Sequence, residues 1–190
     1  MELLIVIALL AVMIPKAIMV VSATRDVVRQ ESSSITIEDH AREIMDRMAL
    51  SIMACDRESL APILTPDYTT GVSYQFSVGV EDGVVIWSDP EEISINGLEG
   101  TELRWRRSPG TPDEQTVTWS RYLLPLFLGE EVNDLDDNGN ELIDEEGLTF
   151  SIVGDEVTIR LSLGRVVQNG ERVDRALVRN VICRNNPQGP

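Results

Sequence analysis

The hydrophobic pattern is most continuous at the start of the chain. Apolar residues run from Leu3 to Val21 and are interrupted only by Pro15 and Lys16. A helix of this length covers about 29 Å at ~1.5 Å per residue, which matches the roughly 30 Å hydrocarbon core of a bilayer. The stretch therefore predicts a transmembrane helix at the beginning of the chain.

A second helical pattern occupies Ile37 to Leu60, where apolar residues recur at steps of three and four and charged residues take the other side. Serines and β-branched residues at 32–37 favour the helix less, so we expect a break or kink there. Pro62 and Pro66 are expected to end the second helix. We predict that a sheet packs on its apolar stripe, which consists of Ile37, Ala41, Ile44, Met48, Ile52 and Cys55.

Beyond Pro66 the period changes to two, which is typical of β-strands. Turn residues such as Asp82-Gly83, Gly154-Asp155 and Asn169-Gly170 separate the alternating segments. The pattern predicts strands at 73–78, 84–87, 92–96, 102–107, 116–122, 148–153, 156–163 and 175–184. Leu123–Leu128 has no clear period, and residues 185–190 are expected to form a loose tail.

These patterns predict an α+β fold, in which a long N-terminal membrane-anchored helix packs on an antiparallel β-sheet. The predicted segments are a transmembrane helix at 1–30, an amphipathic stem helix at 31–66 and a β-rich domain at 67–190. The chain has 190 residues and carries 32 acidic against 16 basic side chains, a formal net charge of −16. A surface so acidic repels phosphate groups, so we expect no nucleic-acid partner.

The residue in front of the apolar stretch is acidic. Glu2 stands at the edge of a lipid-soluble helix, where a carboxylate is costly unless it is paired. The start Glu2–Ala11 closely resembles that of mature type IV pilins and type II secretion pseudopilins. The resemblance implies that Glu2 pairs with the free N-terminal amine of a neighbouring subunit during assembly. The closing pattern from Leu148 to Asn185 is similar to that of minor pilins and J-type pseudopilins.

Two other interpretations fit this start less well. A secretory signal peptide needs a basic region before the apolar run, whereas the chain opens with Met1-Glu2. A plain membrane anchor fits the length but gives Glu2 no role. Members of the family begin with a basic leader and a cleaved glycine, and we expect these upstream if Met1 lies inside a longer Phe-Thr-Leu-Met-Glu start.

The resemblance implies a minor pilin or pseudopilin-like subunit of a type II secretion or type IV pilus assembly. Such a subunit passes once through the inner membrane and carries its globular domain in the periplasm or outside the cell. Its partners are other pilin or pseudopilin subunits and an inner-membrane assembly platform. The alternative is a membrane-anchored calcium-binding β-domain that does not polymerise.

A second informative stretch is the acidic loop at 130–146, which holds nine acidic residues and no basic one. Its spacing Asp-x-Asp-x-Asn-Gly-x5-Glu is that of an EF-hand calcium loop, in which oxygen ligands wrap a hard cation and glycine permits a sharp turn. No helix is predicted before it, so we expect a calcium loop between strands or else a solvated acidic loop. The predicted ligands are Asp134, Asp136, Asn138, Asn140 through its carbonyl and Glu145, with Asp144 or Glu146 as substitutes.

Cys55 and Cys183 are the two cysteines, and they lie at the ends of the second helical pattern and of the last strand. In a domain outside the inner membrane they would form a disulfide that ties the stem helix to the end of the domain. Two buried free thiols are the other interpretation. Both remain open, and zinc is not expected because no Cys-x-x-Cys or Cys/His cluster is present.

Catalytic motifs are absent from the sequence. It contains no Gly-x-Ser-x-Gly elbow, glycine-rich phosphate loop or His-Glu-x-x-His. The single histidine, His40, falls among the charged positions of the predicted stem helix, where it cannot serve as the base of a Ser-His-Asp site. We therefore expect a protein that is not an enzyme.

Overall fold

The computed structural model describes residues 2–63, 68–96, 100–166 and 170–184, with side chains except those of 2–12, 23, 26, 27, 29, 30 and 33. Across these ranges the chain forms one helix and nine strands. The helix is α1 (Glu2–Ala54), and the strands are β1 (Gly71–Tyr74), β2 (Ser77–Glu81), β3 (Val84–Trp87), β4 (Glu91–Asn96), β5 (Glu102–Arg107), β6 (Gln115–Ser120), β7 (Leu148–Val153), β8 (Glu156–Val166) and β9 (Arg172–Ile182).

The break expected at 32–37 is wrong, because α1 runs through these residues without interruption. The Thr36 hydroxyl donates to the Ser32 carbonyl at 2.8 Å, so a side chain that competes for backbone bonds does so within the helical geometry. The helix ends at Ala54, earlier than the predicted Leu60. There the amide of Asp56 donates to the Gln75 carbonyl at 2.8 Å, and the chain leaves the helix to pair with an extended segment.

The strands form three antiparallel sheets. One contains four strands in the order β1-β4-β5-β6, a second is the hairpin β2-β3, and the third has the order β7-β8-β9. The strand predicted at 73–78 is divided between two of these sheets. The division falls at Gln75-Phe76, where Phe76 pairs with Cys55 and its amide donates to the Ser88 hydroxyl at 3.1 Å.

The predicted fold class, a membrane-anchored helix packed on one antiparallel sheet, is therefore wrong. Most of the regular structure after α1 is β, and it is distributed over three sheets instead of one. In the part of the chain that the structure describes, no helix has both the length and the apolar character needed to cross a membrane. The predicted span from Leu3 to Val21 overlaps residues 2–12, whose side chains lie outside the described ones.

The main core lies where the second half of α1 packs on β8 and β9. The stripe predicted for this half is buried: Ile37, Ala41, Ile44, Met48, Ile52 and Cys55 are each at most 2% exposed. The sheet contributes alternate residues of β7 and β8, among them Phe150, Ile159 and Leu161, which are fully buried. Each such large side chain stabilises the fold by about 1.5–3 kcal/mol relative to its exposed state.

The outer side of the same seam is polar. Arg179 of β9 forms an ion pair with Asp46 of α1, and Arg175 of β9 contacts Glu38 at 3.7 Å. Along α1 itself, Glu38 and Arg42 form a pair at 2.5 Å with the four-residue spacing that supports a helix. His40 lies half-buried at this level, with its Nε2 atom 3.3 Å from the Ser120 hydroxyl.

Candidate cation site and assembly surface

The acidic loop at 130–146 connects β6 to β7, and its two ends are held together at the base. The amide of Phe127 donates to the Glu145 carbonyl at 2.8 Å, and the amide of Gly147 reaches the Pro125 carbonyl at 3.3 Å. A side chain at position 147 would lie 1.9 Å from the Leu124 carbonyl oxygen, so this close approach requires glycine. The loop is thus anchored on the β7-β8-β9 sheet.

Asp136 organises the tip of the loop. Its two carboxylate oxygens accept the amides of Gly139 at 2.6 Å, Glu141 at 2.8 Å and Asn140 at 3.1 Å. These amides favour the ionised carboxylate, and that of Glu141 contributes most to lowering the pKa of Asp136. Gly139 has φ of 77°, so the sharp turn predicted at this glycine is confirmed.

Asp144 organises the first part of the loop in the same way, by accepting backbone amides. Its Oδ1 atom accepts the amide of Asn133, and its Oδ2 atom accepts the amide of Asp134, both at 3.0 Å. Asp134 and Asp144 both have positive φ, at 60° and 49°. The acidic side chains therefore fold the loop by binding its backbone amides, which leaves their oxygens less available to a ligand.

Glu145 and Glu130 are the two buried carboxylates of the loop. Glu145 is 0% exposed, and its Oε1 atom accepts the side-chain amides of Asn140 at 2.6 Å and Asn138 at 3.3 Å. Glu130 is 7% exposed, and its Oε1 atom accepts the backbone amide of Asn138 at 3.2 Å. The Oε2 atom of each carboxylate is buried and makes no hydrogen bond with any described residue.

A buried carboxylate normally has partners for its oxygens, since an unpaired one costs several kcal/mol. Glu91, which is 9% exposed, shows the ordinary arrangement in this protein: its Oε2 atom accepts the Tyr74 hydroxyl at 3.0 Å and the Trp105 indole at 2.9 Å. Glu130 and Glu145 instead retain free acceptor atoms in a loop without a basic residue. Their chemistry fits a hard cation with oxygen ligands.

The structure groups the predicted ligands only in part. Asn138, Asn140 and Glu145 lie within hydrogen-bond distance of one another. Asp136 is occupied with backbone amides, and Asp134 is exposed. Among the described residues no three His, Cys, Asp or Glu side chains are already arranged around a metal position. Coordination by the full predicted set would require the loop to rearrange.

Glu130 is the residue that the sequence pattern did not identify. It precedes Asn138 by eight positions and lies outside the spacing of the EF-hand motif. The preceding residue, Gly129, has φ of 103°, and a Cβ atom there would lie 3.3 Å from that of Asn138. A glycine directly before an acidic residue at the start of the loop is the only sequence signal for this contact.

The other candidate surface is the first half of α1, residues 13–36. Its apolar side chains named below are exposed, whereas most of those of the second half pack on β8 and β9; near residue 34 the Arg175 side chain of β9 still donates to the Ser34 hydroxyl. The side chain of Glu2, the predicted assembly residue, lies outside the described ones. We name the exposed set the α1 apolar surface; it consists of Met13, Ile14, Ile18, Met19, Val20, Val21, Val28 and Ile35, each at least 50% exposed.

The two cysteines meet at the opposite end of α1. The Sγ atoms of Cys55 and Cys183 are 3.6 Å apart, and both residues are buried. Cys55 follows directly after α1, and Cys183 follows directly after β9.

Comparison with known proteins found no match: no family, no curated protein and no solved structure matches the chain.

Proposed function

We propose that this chain is a minor pilin or pseudopilin-like subunit that assembles through the first half of α1. The α1 apolar surface is the observation that carries the proposal. Eight apolar side chains between Met13 and Ile35 are at least half exposed on one continuous helix. Exposed apolar surface of this extent marks an interaction site, since covering each side chain is worth about 1.5–3 kcal/mol.

The occupant of this surface is the same helix of sibling subunits. Helices bearing apolar side chains around their circumference pack well in a bundle, where each helix covers its neighbours. The second half of α1 already has its partner in β8 and β9 and remains with its own subunit. In this proposal α1 has a first half that assembles with other subunits and a second half that carries the β-rich part.

Glu2 has the role of a pairing residue in this proposal. Its carboxylate meets the N-terminal amine of a neighbouring subunit, and removal of the two charges from an apolar environment favours the paired register. Assembly takes place at the inner membrane with an assembly platform, and the β-rich part lies in the periplasm or outside the cell.

The experiment compares Glu2→Ala with Glu31→Ala in cells that contain the sibling subunits. Glu31 is an exposed acidic residue on the same helix, so its replacement removes the same charge at a different position. We expect Glu2→Ala to reach the membrane fraction but to lose assembly, as measured by recovery of sheared filaments. Glu31→Ala should assemble normally. Normal assembly of Glu2→Ala would contradict the proposal.

A second candidate function is a calcium-binding β-domain that does not polymerise. The free Oε2 atoms of Glu130 and Glu145 favour a cation at the acidic loop whichever function holds. In the assembling subunit, calcium would stabilise the loop of the displayed part; in the alternative, binding itself is the function. Recovery of the chain in sheared filaments from cells that contain the sibling subunits distinguishes the two, because the alternative predicts that the chain is absent from them.

A further inference from the structure

The cysteine pair lies at the point where three parts of the chain meet. Cys55 directly follows α1 and forms an isolated bridge with Phe76, which precedes β2. The amide of Cys183 donates to the Asp155 carbonyl at 3.1 Å, in the turn between β7 and β8. The next amide, that of Arg184, reaches the Met53 carbonyl at 3.3 Å. The end of β9 is therefore held at the end of α1 by these backbone hydrogen bonds together with the buried core that includes Val181.

We propose that Cys55 and Cys183 form a disulfide that covalently joins the end of α1 to the end of β9. The Sγ atoms are already 3.6 Å apart. A disulfide needs about 2.05 Å between the sulfur atoms, so the two would have to approach by about 1.5 Å. Burial of both residues favours a bond within the subunit over one with a cysteine of another subunit.

The reaction is thiol–disulfide exchange with an oxidant that itself contains a disulfide, such as glutathione disulfide or an oxidised dithiol protein. The Cys183 thiolate attacks that disulfide and releases one oxidant thiolate. The Cys55 thiolate then attacks the Cys183 sulfur of the mixed disulfide and releases the second. The protein loses two electrons and two protons, and the oxidant is reduced to two thiols.

Cys183 is the residue suited to attack first. Its pKa is lowered, chiefly because the Cys55 thiol donates a hydrogen bond to it, and the Arg57 guanidinium contributes in the same direction. The pKa of Cys55 is raised by that same hydrogen bond and by burial. Cys183 is also slightly more accessible, at 3% exposed against 0% for Cys55.

The bond would stabilise the seam between α1 and the β7-β8-β9 sheet. The cysteines are 128 positions apart, so the link closes most of the β-rich part into one loop and restricts the unfolded chain strongly. From the loop length we expect the melting temperature to rise by on the order of 10 °C. β9 is the edge strand that packs on α1, so we expect the disulfide to stabilise β9 more than the other strands.

The test uses the full chain in detergent, equilibrated with excess glutathione disulfide or with dithiothreitol. After denaturation and alkylation, the oxidised sample should contain no alkylated cysteine, as measured by intact mass, and should melt about 10 °C higher. Two alkylated cysteines after oxidation, or a disulfide-linked dimer on a non-reducing gel, would overturn the proposal.

The matched control is Cys183→Ala, which keeps a small apolar side chain at the end of β9. Its melting temperature should be the same in both buffers, because Cys55 then has no partner within the subunit. A reductant-dependent shift that persists in Cys183→Ala would also overturn the proposal. The mass measurement on the unaltered chain decides the question without a variant, so a folding defect in Cys183→Ala leaves the test intact.

Discussion

Replacement of Glu145 by glutamine tests the cation site most sharply. The substitution keeps the size of the side chain and removes the charge from a carboxylate that is 0% exposed and has one unpartnered oxygen. In chelator, we expect Glu145→Gln to be more stable than the unaltered chain. Glutamine leaves a polar atom without a partner at the same position but removes the buried negative charge, which costs more to desolvate than an amide. We expect a gain of about 1–3 kcal/mol, which corresponds to a melting temperature higher by roughly 2–10 °C.

Calcium should reverse this order. A ligand present at a hundred times its dissociation constant stabilises the folded state by about 2.7 kcal/mol, which raises the melting temperature of a chain of this size by roughly 5–10 °C. The unaltered chain should show this rise in millimolar calcium, and Glu145→Gln should not. Glu130→Gln should lose the rise as well, since Glu130 supplies the other free oxygen.

The assay is thermal unfolding of the full chain, followed by circular dichroism across a calcium titration and in chelator. Glu141→Gln is the matched control, because Glu141 is an exposed acid in the same loop and its replacement changes the net charge equally. It should retain the calcium response. If Glu145→Gln melts lower than the unaltered chain in chelator and responds to calcium, the argument from the unpartnered oxygens is refuted.

Three further predictions concern other parts of the molecule. Met19→Asp, on the α1 apolar surface, should leave the melting temperature unchanged and abolish filament recovery, whereas the equally exposed Val153→Asp should assemble normally. Gly147→Ala should lower stability in urea unfolding by about 1–3 kcal/mol, since its Cβ atom would meet the Leu124 carbonyl, and Gly79→Ala, with open space around it, should not. Backbone amides lower the pKa of Asp136, so its contribution to stability is complete above the unfolded pKa of 3.8 and is lost as pH falls through the lower folded pKa. In urea unfolding at pH 2–4, the free energy of unfolding should therefore fall less steeply with pH in Asp136→Asn than in the unaltered chain.

The sequence predicted the parts of the structure that depend on regular spacing. The apolar stripe from Ile37 to Cys55 repeats with the helical period and is buried as expected. The strands at 84–87, 102–107 and 148–153 have the predicted bounds, because turn residues flank them. The buried stripe and these strand bounds could be predicted because they depend on residues that are close together in the sequence.

The sequence could not predict features that depend on distant partners. Alternation continues through Gln75-Phe76, so the passage from one sheet to another leaves no mark in the pattern, although the pairing of Phe76 with Cys55 determines it. The number of sheets, and with it the fold class, was therefore wrong. The polar side chains at 32–36 predicted a break because their hydroxyls can bond the backbone outside a helix, but such a bond, from Thr36 to Ser32, also forms within α1.

The candidate site shows the same division. The motif spacing identified Asn138, Asn140 and Glu145, which the structure brings together, and it identified the turn at Gly139. The motif spacing could not show that the carboxylate oxygens of Asp136 accept hydrogen bonds from backbone amides. Nor could it show that Glu130, outside the motif, is the second buried carboxylate.

Photo-crosslinking from α1 tests the central claim, that this helix packs against its counterparts in other subunits. A photoreactive amino acid in place of Ile18, which is 63% exposed, is activated in cells that contain the sibling subunits. The account predicts a product that joins Ile18 to the α1 helix of a second copy or of a sibling, identified by mass spectrometry. A crosslink from Ile18 to the β-rich part of its own chain, with no intermolecular product, would contradict it.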